Sequence, residues 1–122
     1  MRGLAGILLA AGLAAPAAGQ SLLDRVQGLY YPDLPGTRWD CRTLGGDGGA
    51  LGVVGAQVIG VETTCTLSEP FPIPGMDAVR FRATCAGEGT TWDGGYRIVM
   101  PTDRGLLQVV EGNAYEWLRC PG

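Results

Sequence analysis

The chain has 122 residues and a formal net charge of −3, with no histidine and no lysine. The missing imidazole excludes histidine-based catalysis and mixed Cys/His metal sites, and the dispersed charge offers no basic patch for nucleic acid or an anionic membrane surface. With 21 glycines, eight prolines and four cysteines, the composition is typical of a small, turn-rich domain held together by disulfides.

Residues 1–19 have the pattern of a secretory signal peptide. One arginine precedes a run of leucine and alanine, and a proline then introduces small residues that allow cleavage after Ala17 or Gly19. The apolar run is shorter than the roughly 20 residues of a permanent membrane anchor. We therefore expect one domain, residues 20–122, that is periplasmic or secreted and has no membrane anchor after cleavage.

The first elements of this domain are predicted from an apolar stripe and a following aromatic segment. Ser21 can cap a short helix that ends before the prolines at 32 and 35, with a stripe formed by Leu22, Leu23, Val26, Leu29 and Tyr30. Residues 37–41 are predicted to be the first strand, with Trp39 and Cys41 facing inward.

Short runs rich in β-branched and aromatic residues predict the other strands, at 50–54, 57–67, 78–85, 96–100, 105–110 and 114–120. The proline-rich segment 69–76 is expected to leave the sheet, because proline cannot donate to a ladder. Short strands separated by turns predict a mainly β fold, a small antiparallel β-barrel or sandwich with a short N-terminal helix.

The chain has four cysteines, which allow three pairings and form no C-x-x-C motif: Cys41, Cys65, Cys85 and Cys120. An oxidising compartment favours two structural disulfides over a zinc site, and we expect no metal or other cofactor. Strand alternation points Cys65 and Cys85 inward from consecutive strands, which favours Cys65–Cys85 and leaves Cys41–Cys120. The second bridge would contribute about 4 kcal/mol by closing a loop of about 80 residues. The alternative is Cys41–Cys65 with Cys85–Cys120.

The segment 87–96 is the candidate binding site, because it sets acids, threonines and aromatic residues among glycines: Glu88, Thr90, Thr91, Trp92, Asp93 and Tyr96. It is interpreted as a recognition loop or an acid pair; the competing interpretation is a tight glycine-rich turn. Carboxylate pairs can hydrolyse glycosides, but the spacing of Glu62, Glu88 and Asp93 does not require them to converge. We therefore expect no enzyme and no catalytic residue.

Arg80 and Arg82 alternate with Val79 and Phe81, which places the two arginines on the solvent face of one strand. A partner with acidic groups could use this pair. The alternative interpretation is an ordinary soluble surface.

Several of these segments also carry a resemblance: Cys65–Leu67, Val79–Phe81, Cys85–Gly89, Trp92, Arg97 and Arg119–Pro121. Together they resemble small uncharacterised exported bacterial proteins that share a four-cysteine β domain with a C-x-G-E-G loop. The resemblance covers most of the mature chain and implies no activity.

In size, export and cysteine closure, the protein is also similar to periplasmic C-type lysozyme inhibitors, which are small β-barrels. Their serine–glycine inhibitory loop is not recognisable here, so this likeness implies architecture only.

These features predict a non-enzymatic exported binding domain that recognises a protein or an envelope glycan, with hydrolase inhibition as one form of that function. One alternative is a carrier of a small apolar ligand, its cavity lined by Val61, Phe81, Val99 and Leu107. A less favoured alternative is a hydrolase that uses Glu88 and Asp93. We expect no nucleic-acid partner.

Overall fold

A computed structural model describes residues 17–122, which form a closed antiparallel barrel of eight strands. A helix over residues 17–25 (α1) comes first. The strands are β1 Gly28–Pro32, β2 Leu51–Val54, β3 Gln57–Gly60, β4 Thr63–Pro72, β5 Val79–Gly87, β6 Thr90–Pro101, β7 Gly105–Val110 and β8 Asn113–Arg119. Each strand pairs with the next in sequence, and β1 closes the barrel by pairing with β8. The prediction of a mainly β fold with a short N-terminal helix is confirmed, and of the two predicted architectures, barrel and sandwich, the protein has the barrel.

Most of the predicted signal peptide, residues 1–16, lies outside the described residues, and residues 17–19 belong to α1. In the described part of the chain, no helix is long and apolar enough to cross a bilayer.

Side chains fill the interior of the barrel. The largest of those less than 2% exposed are Tyr30, Phe81, Leu22, Leu106, Val26, Val53 and Val99. Leu22 belongs to α1 and Val26 directly follows it, so the buried side of this segment closes one end of the barrel. Eight strands enclose a space that side chains alone can fill, and this protein uses it as its core.

Polar contacts hold α1 in this position. Arg25 pairs with Asp77 in the β4–β5 turn at 2.5 Å, and the side chain of Arg119 donates to the carbonyl oxygens of Arg25 and Gln27. The last carbonyls of a helix lack partners within the helix, and a cation there is also favoured by the helix dipole. Both ends of the described chain therefore meet at the same end of the barrel.

The two disulfides are those that strand alternation favoured. Cys65 and Cys85 lie directly opposite each other on β4 and β5, and Cys41–Cys120 joins the long β1–β2 connection to the residue after β8. Two structural disulfides are typical of an oxidising, non-cytoplasmic compartment. The alternative pairing is wrong.

Two predictions near the N-terminus are wrong. Leu29 and Tyr30 belong to β1 rather than to the helix, and residues 37–41 lie in the β1–β2 connection rather than in a strand. Residues 28–32 form a strand because β1 makes ladder hydrogen bonds to both β2 and β8. The local apolar pattern does not contain this information about distant segments. Cys41 has a left-handed backbone (φ 55°), which does not suit a strand, although Trp39 still packs against the core.

The predicted strand 57–67 is two strands. Gly60 pairs with Thr63 across a turn in which Glu62 has a left-handed φ of 52°. No glycine, proline or asparagine marks this turn at positions 61 and 62, so the pattern looked continuous. The turn places Val61 at the end of the barrel. Val58 pairs with Cys65 on the inner face, so Ile59 lies on the outer face.

The prolines at 70 and 72 do not end the sheet as expected, because β4 continues to Pro72. A bulge between Ser68 and Phe71, with Glu69 at φ 51°, interrupts the pairing with β5 before it resumes. The pairing of β3 with β4 stops before this point, at Gln57 and Thr66. The prolines therefore lie on a free edge, where they remove no ladder donor.

Candidate functional site

The segment 87–96 is the tip and one arm of the β5–β6 hairpin rather than a loop. The turn consists of Glu88 and Gly89, both with positive φ (50° and 79°), as in the tightest hairpin turns. Strand β6 begins at Thr90, whose hydroxyl donates to the carbonyl of Gly87 at 2.9 Å. Glycine-rich turn chemistry explains only the tip, because the residues after it pair with β5.

Strand alternation divides the six predicted site residues between two faces. Trp92 pairs with Cys85 and therefore shares its inward-facing side, at the end of the barrel opposite α1. Glu88, Thr90 and Trp92 line a groove of about 240 Å³ there. Asp93 pairs with Thr84, and Tyr96 with Arg82, so both lie on the outer face. The structure brings the first three together and separates them from Asp93 and Tyr96.

A larger groove, of about 560 Å³, lies between the β5–β6 hairpin, β3 and the β1–β2 connection. Thr91 lines it together with Thr90, Ile59, Thr64 and Leu44. Its walls are aliphatic and threonine side chains, glycines and the acidic residue Glu62.

Trp92 has a structural contact as well as an exposed surface. A Cβ placed on Gly87 would lie 3.5 Å from the indole Cη2 and 2.6 Å from the carbonyl oxygen of Glu62. Gly87 therefore permits the close approach of the β3–β4 turn, and the indole lies against Gly87. The side chain remains 42% exposed, so one part packs and another is available to a partner.

The three acids considered from the sequence lie at two separate places. Glu62 and Glu88 line the 240 Å³ groove, whereas Asp93 pairs with Arg82 at 2.5 Å on the outer face. The N–H of Gly95 and the Arg82 guanidinium hold the pKa of Asp93 below its usual value, which does not suit a general acid. Among residues 17–122, no three side chains of the His, Cys, Asp or Glu type are grouped to hold a metal ion.

The outer face of β4–β6 carries an ordered arginine–aromatic stack, formed by Phe71, Arg80, Tyr96 and Arg82. The Arg80 guanidinium carbon lies 4.8 Å from the ring centre of Phe71 and 4.6 Å from that of Tyr96. The Arg82 guanidinium carbon lies 5.1 Å from the ring centre of Tyr96. Contact with Tyr96 and Asp93 raises the pKa of Arg82. The sequence indicated the two arginines and Tyr96, but it did not place Phe71 beside them, because the proline-rich segment was expected to leave the sheet.

A third arginine, Arg97, points into the barrel. Its Nη1 donates to Gln108 Oε1 at 3.1 Å and its Nη2 to Cys65 Sγ at 3.5 Å, while its buried Nε has no partner within residues 17–122. Burial lowers the pKa of Arg97. Sequence reasoning assigned it no role, because an arginine in a strand is usually on the solvent face.

Of the four residues expected to line a ligand cavity, Phe81 and Val99 face inward and are packed in the core. Val61 is 37% exposed in the β3–β4 turn, and Leu107 lies between the inward-facing Leu106 and Gln108 and so faces outward. These four residues do not line one cavity.

No protein-family model, curated protein or solved structure matches this chain. The resemblances to four-cysteine exported proteins and to lysozyme inhibitors therefore stay expectations from the sequence. The geometry of β4–β6 is the strongest guide to function.

Proposed function

We propose that the protein is a non-enzymatic exported binding domain that recognises a protein partner through strands β4–β6. The location of the exposed aromatic side chains is the main support for this proposal. Among residues 17–122, four aromatic side chains are 42% exposed or more: Phe71, Trp92, Tyr96 and Tyr115. Three of the four lie on β4 and β6. Aromatic residues are enriched in protein interfaces, where they contribute much of the binding energy.

The rigidity of the barrel supports this role. Cys65–Cys85 bridges β4 and β5 directly, and both strands of the β5–β6 hairpin are paired along nearly their full length. Side chains presented by such a hairpin lose little conformational entropy when they bind, because they are already ordered. Inhibition of a hydrolase is one form that such binding would take.

The carrier alternative has less support, because the barrel interior is occupied by its own side chains. A glycan ligand would use the groove beside Thr90 and Thr91, whose threonine hydroxyls suit a sugar. A protein is the favoured ligand, since the exposed side chains of Phe71, Trp92 and Tyr96 lie outside the lining of this groove and are the types enriched in protein interfaces.

Affinity capture with matched variants tests the proposal. The oxidised domain, residues 20–122, serves as bait in periplasmic extract and culture fluid, beside the variants Tyr96→Ala, Trp92→Ala and Tyr115→Ala. Tyr96 and Tyr115 are exposed to nearly the same extent, 49% and 51%, so Tyr115→Ala is the control for non-specific binding by exposed aromatic side chains.

We expect a stoichiometric protein that the wild type and Tyr115→Ala capture equally and that Tyr96→Ala or Trp92→Ala loses. Equal loss with Tyr115→Ala would contradict the proposal, as would a partner retained by all three variants. Melting temperatures of the baits distinguish lost contact from unfolding, which matters most for Trp92.

A further inference from the structure

Two bulges build the arginine–aromatic stack. In β4 the irregularity after Ser68 brings Phe71 opposite Arg80. In β6 a second irregularity, at which Gly95 has φ 68°, brings Tyr96 opposite Arg82. Bulges commonly re-aim side chains at functional positions. Here they place an aromatic ring near each flank of Arg80, so that its guanidinium is held between Phe71 and Tyr96.

The two arginines of the stack differ in their partners. Arg82 pairs with Asp93 at 2.5 Å, whereas Arg80 has no ion pair and no side-chain hydrogen bond within residues 17–122. The Nε of Arg80 is buried, and it lacks an acceptor there. A guanidinium carries five N–H donors in a planar arrangement that matches a carboxylate. Arg80 is therefore an ordered cation whose donors have no protein acceptor in the described part of the chain.

The charge around Arg80 indicates what would bind it. Among residues 17–122, Asp93 is the one carboxylate within ion-pair distance of Arg80 or Arg82. The two arginines together therefore keep one positive charge that no carboxylate of this part of the chain compensates. The protein as a whole has a net charge of −3. A single positive position between two apolar rings suits one carboxylate with apolar neighbours, whereas nucleic acid is bound through many cations.

We propose that the arginine–aromatic stack binds an acidic, partly apolar segment of the partner protein, with one carboxylate of that segment on Arg80. The apolar side chains of the segment pack on Phe71 and Tyr96, and Arg82 remains paired with Asp93. This inference rests on the proposed function and names the chemistry of the partner. Charge-assisted, planar pairing to Arg80 supplies specificity, and the exposed rings supply contact area.

Two blocked hexapeptides test the inference directly: one alternates glutamate and leucine, and the other has glutamine in place of glutamate. The oxidised domain labelled with ¹⁵N is titrated with each, and the backbone amides and arginine Nε–H signals are followed by NMR. We expect saturable shifts at Arg80 Nε–H and at the amides of Phe71 and Tyr96, with the glutamine peptide at least about tenfold weaker. Equal binding of the two peptides, or shifts confined to other parts of the barrel, would overturn the inference.

Substitutions separate charge from geometry. Arg80→Gln should abolish the shifts at the amides of Phe71 and Tyr96, and Arg80→Lys should retain only a weak response at these amides, because a lysine lacks the planar arrangement of donors. Arg42→Gln, which removes an exposed arginine from the β1–β2 connection, is the control and should bind like the wild type. The amide spectrum of each variant reports whether the barrel is folded.

The capture experiment distinguishes the two proposals. A partner that is lost with Tyr96→Ala and retained with Arg80→Gln would support protein binding by β4–β6 and overturn the role of the carboxylate. A partner lost with both variants would support both proposals.

Discussion

The inner and outer faces of β4–β6 belong to the same strands and have opposite chemistry. On the inner face, Phe81, Ala83 and Val99 are at most 2% exposed and pack beside the Cys65–Cys85 bridge. On the outer face, Phe71 and Tyr96 are about half exposed and hold Arg80 between them. Burial of apolar area stabilises the fold. The outer face can therefore carry exposed aromatic side chains without stability depending on them.

The contrast is clearest in two arginines, Arg97 inside and Arg80 outside, which lie in adjacent cross-strand pairs of β5 and β6. Each has a buried Nε without a partner in residues 17–122. Arg97 donates hydrogen bonds to neutral acceptors, the Gln108 amide oxygen and Cys65 Sγ, whereas the Arg80 guanidinium stacks on the faces of two aromatic rings. Arginine thus makes the interior more polar on the inner face and presents a cation without a carboxylate partner on the outer face.

The largest effect should come from substituting a phenylalanine on the inner face. Phe81→Ala should lower the free energy of unfolding by about 3–5 kcal/mol, because a fully buried ring leaves a cavity. Phe71→Ala on the outer face should cost less than about 1 kcal/mol. Urea unfolding followed by tryptophan fluorescence measures both. Equal losses would show that the stack belongs to the core. If Phe81→Ala does not fold, Phe81→Leu gives a smaller loss that can still be compared.

The disulfides should come next. Replacing Cys41 and Cys120 by serine should cost about 4 kcal/mol, and replacing Cys65 and Cys85 by alanine about 3 kcal/mol, because the loops they close span 79 and 20 residues. Guanidinium unfolding of the two double variants measures the difference. A larger loss for the inner-face pair would show that packing beside Phe81 outweighs loop entropy.

A smaller effect, of opposite sign, is expected at Arg97, whose side chain is partly buried. The double variant Arg97→Met/Gln108→Leu should raise the free energy of unfolding by about 1 kcal/mol, because it removes a partly buried charge that has no carboxylate partner in the described chain and leaves no amide unpaired. Arg80→Met on the outer face should change the free energy by less than about 0.5 kcal/mol. Destabilisation of the double variant would show that the interior polar pair contributes net stability.

The smallest effect should be the pH dependence of stability. Hydrogen bonds and arginine partners hold the pKa values of Asp40, Asp77 and Asp93 below their usual value of 3.8. Their contribution is therefore present above pH 3.8 and is lost as the pH falls through the lower folded-state values. Without histidine, the free energy of unfolding should be nearly constant from about pH 5 to 7.

Thermal unfolding at each pH tests this, with Asp77→Asn and Asp93→Asn as variants. Each substitution should flatten the acid slope slightly. A transition near pH 6 in the wild type would contradict the assignment.

Features that depend on local alternation along a strand could be predicted from the amino-acid sequence. Inward residues of β5, from Val79 to Cys85, share one face with period two, so the Cys65–Cys85 pairing and the outward direction of Arg80 and Arg82 could be predicted. The four cysteines, short strands and frequent turns were enough to indicate a small disulfide-linked antiparallel barrel or sandwich.

Features that depend on pairing between distant segments could not be predicted in this way. Residues 28–32 form a strand because β2 and β8 are available on either side, and Pro70 and Pro72 are tolerated because β3 ends before it reaches them. The arginine–aromatic stack requires two bulges on different strands, and Arg97 faces inward because of the second. Local pattern specifies which way a side chain points within a strand, but pairing between distant segments determines where the strand ends and which side chains meet.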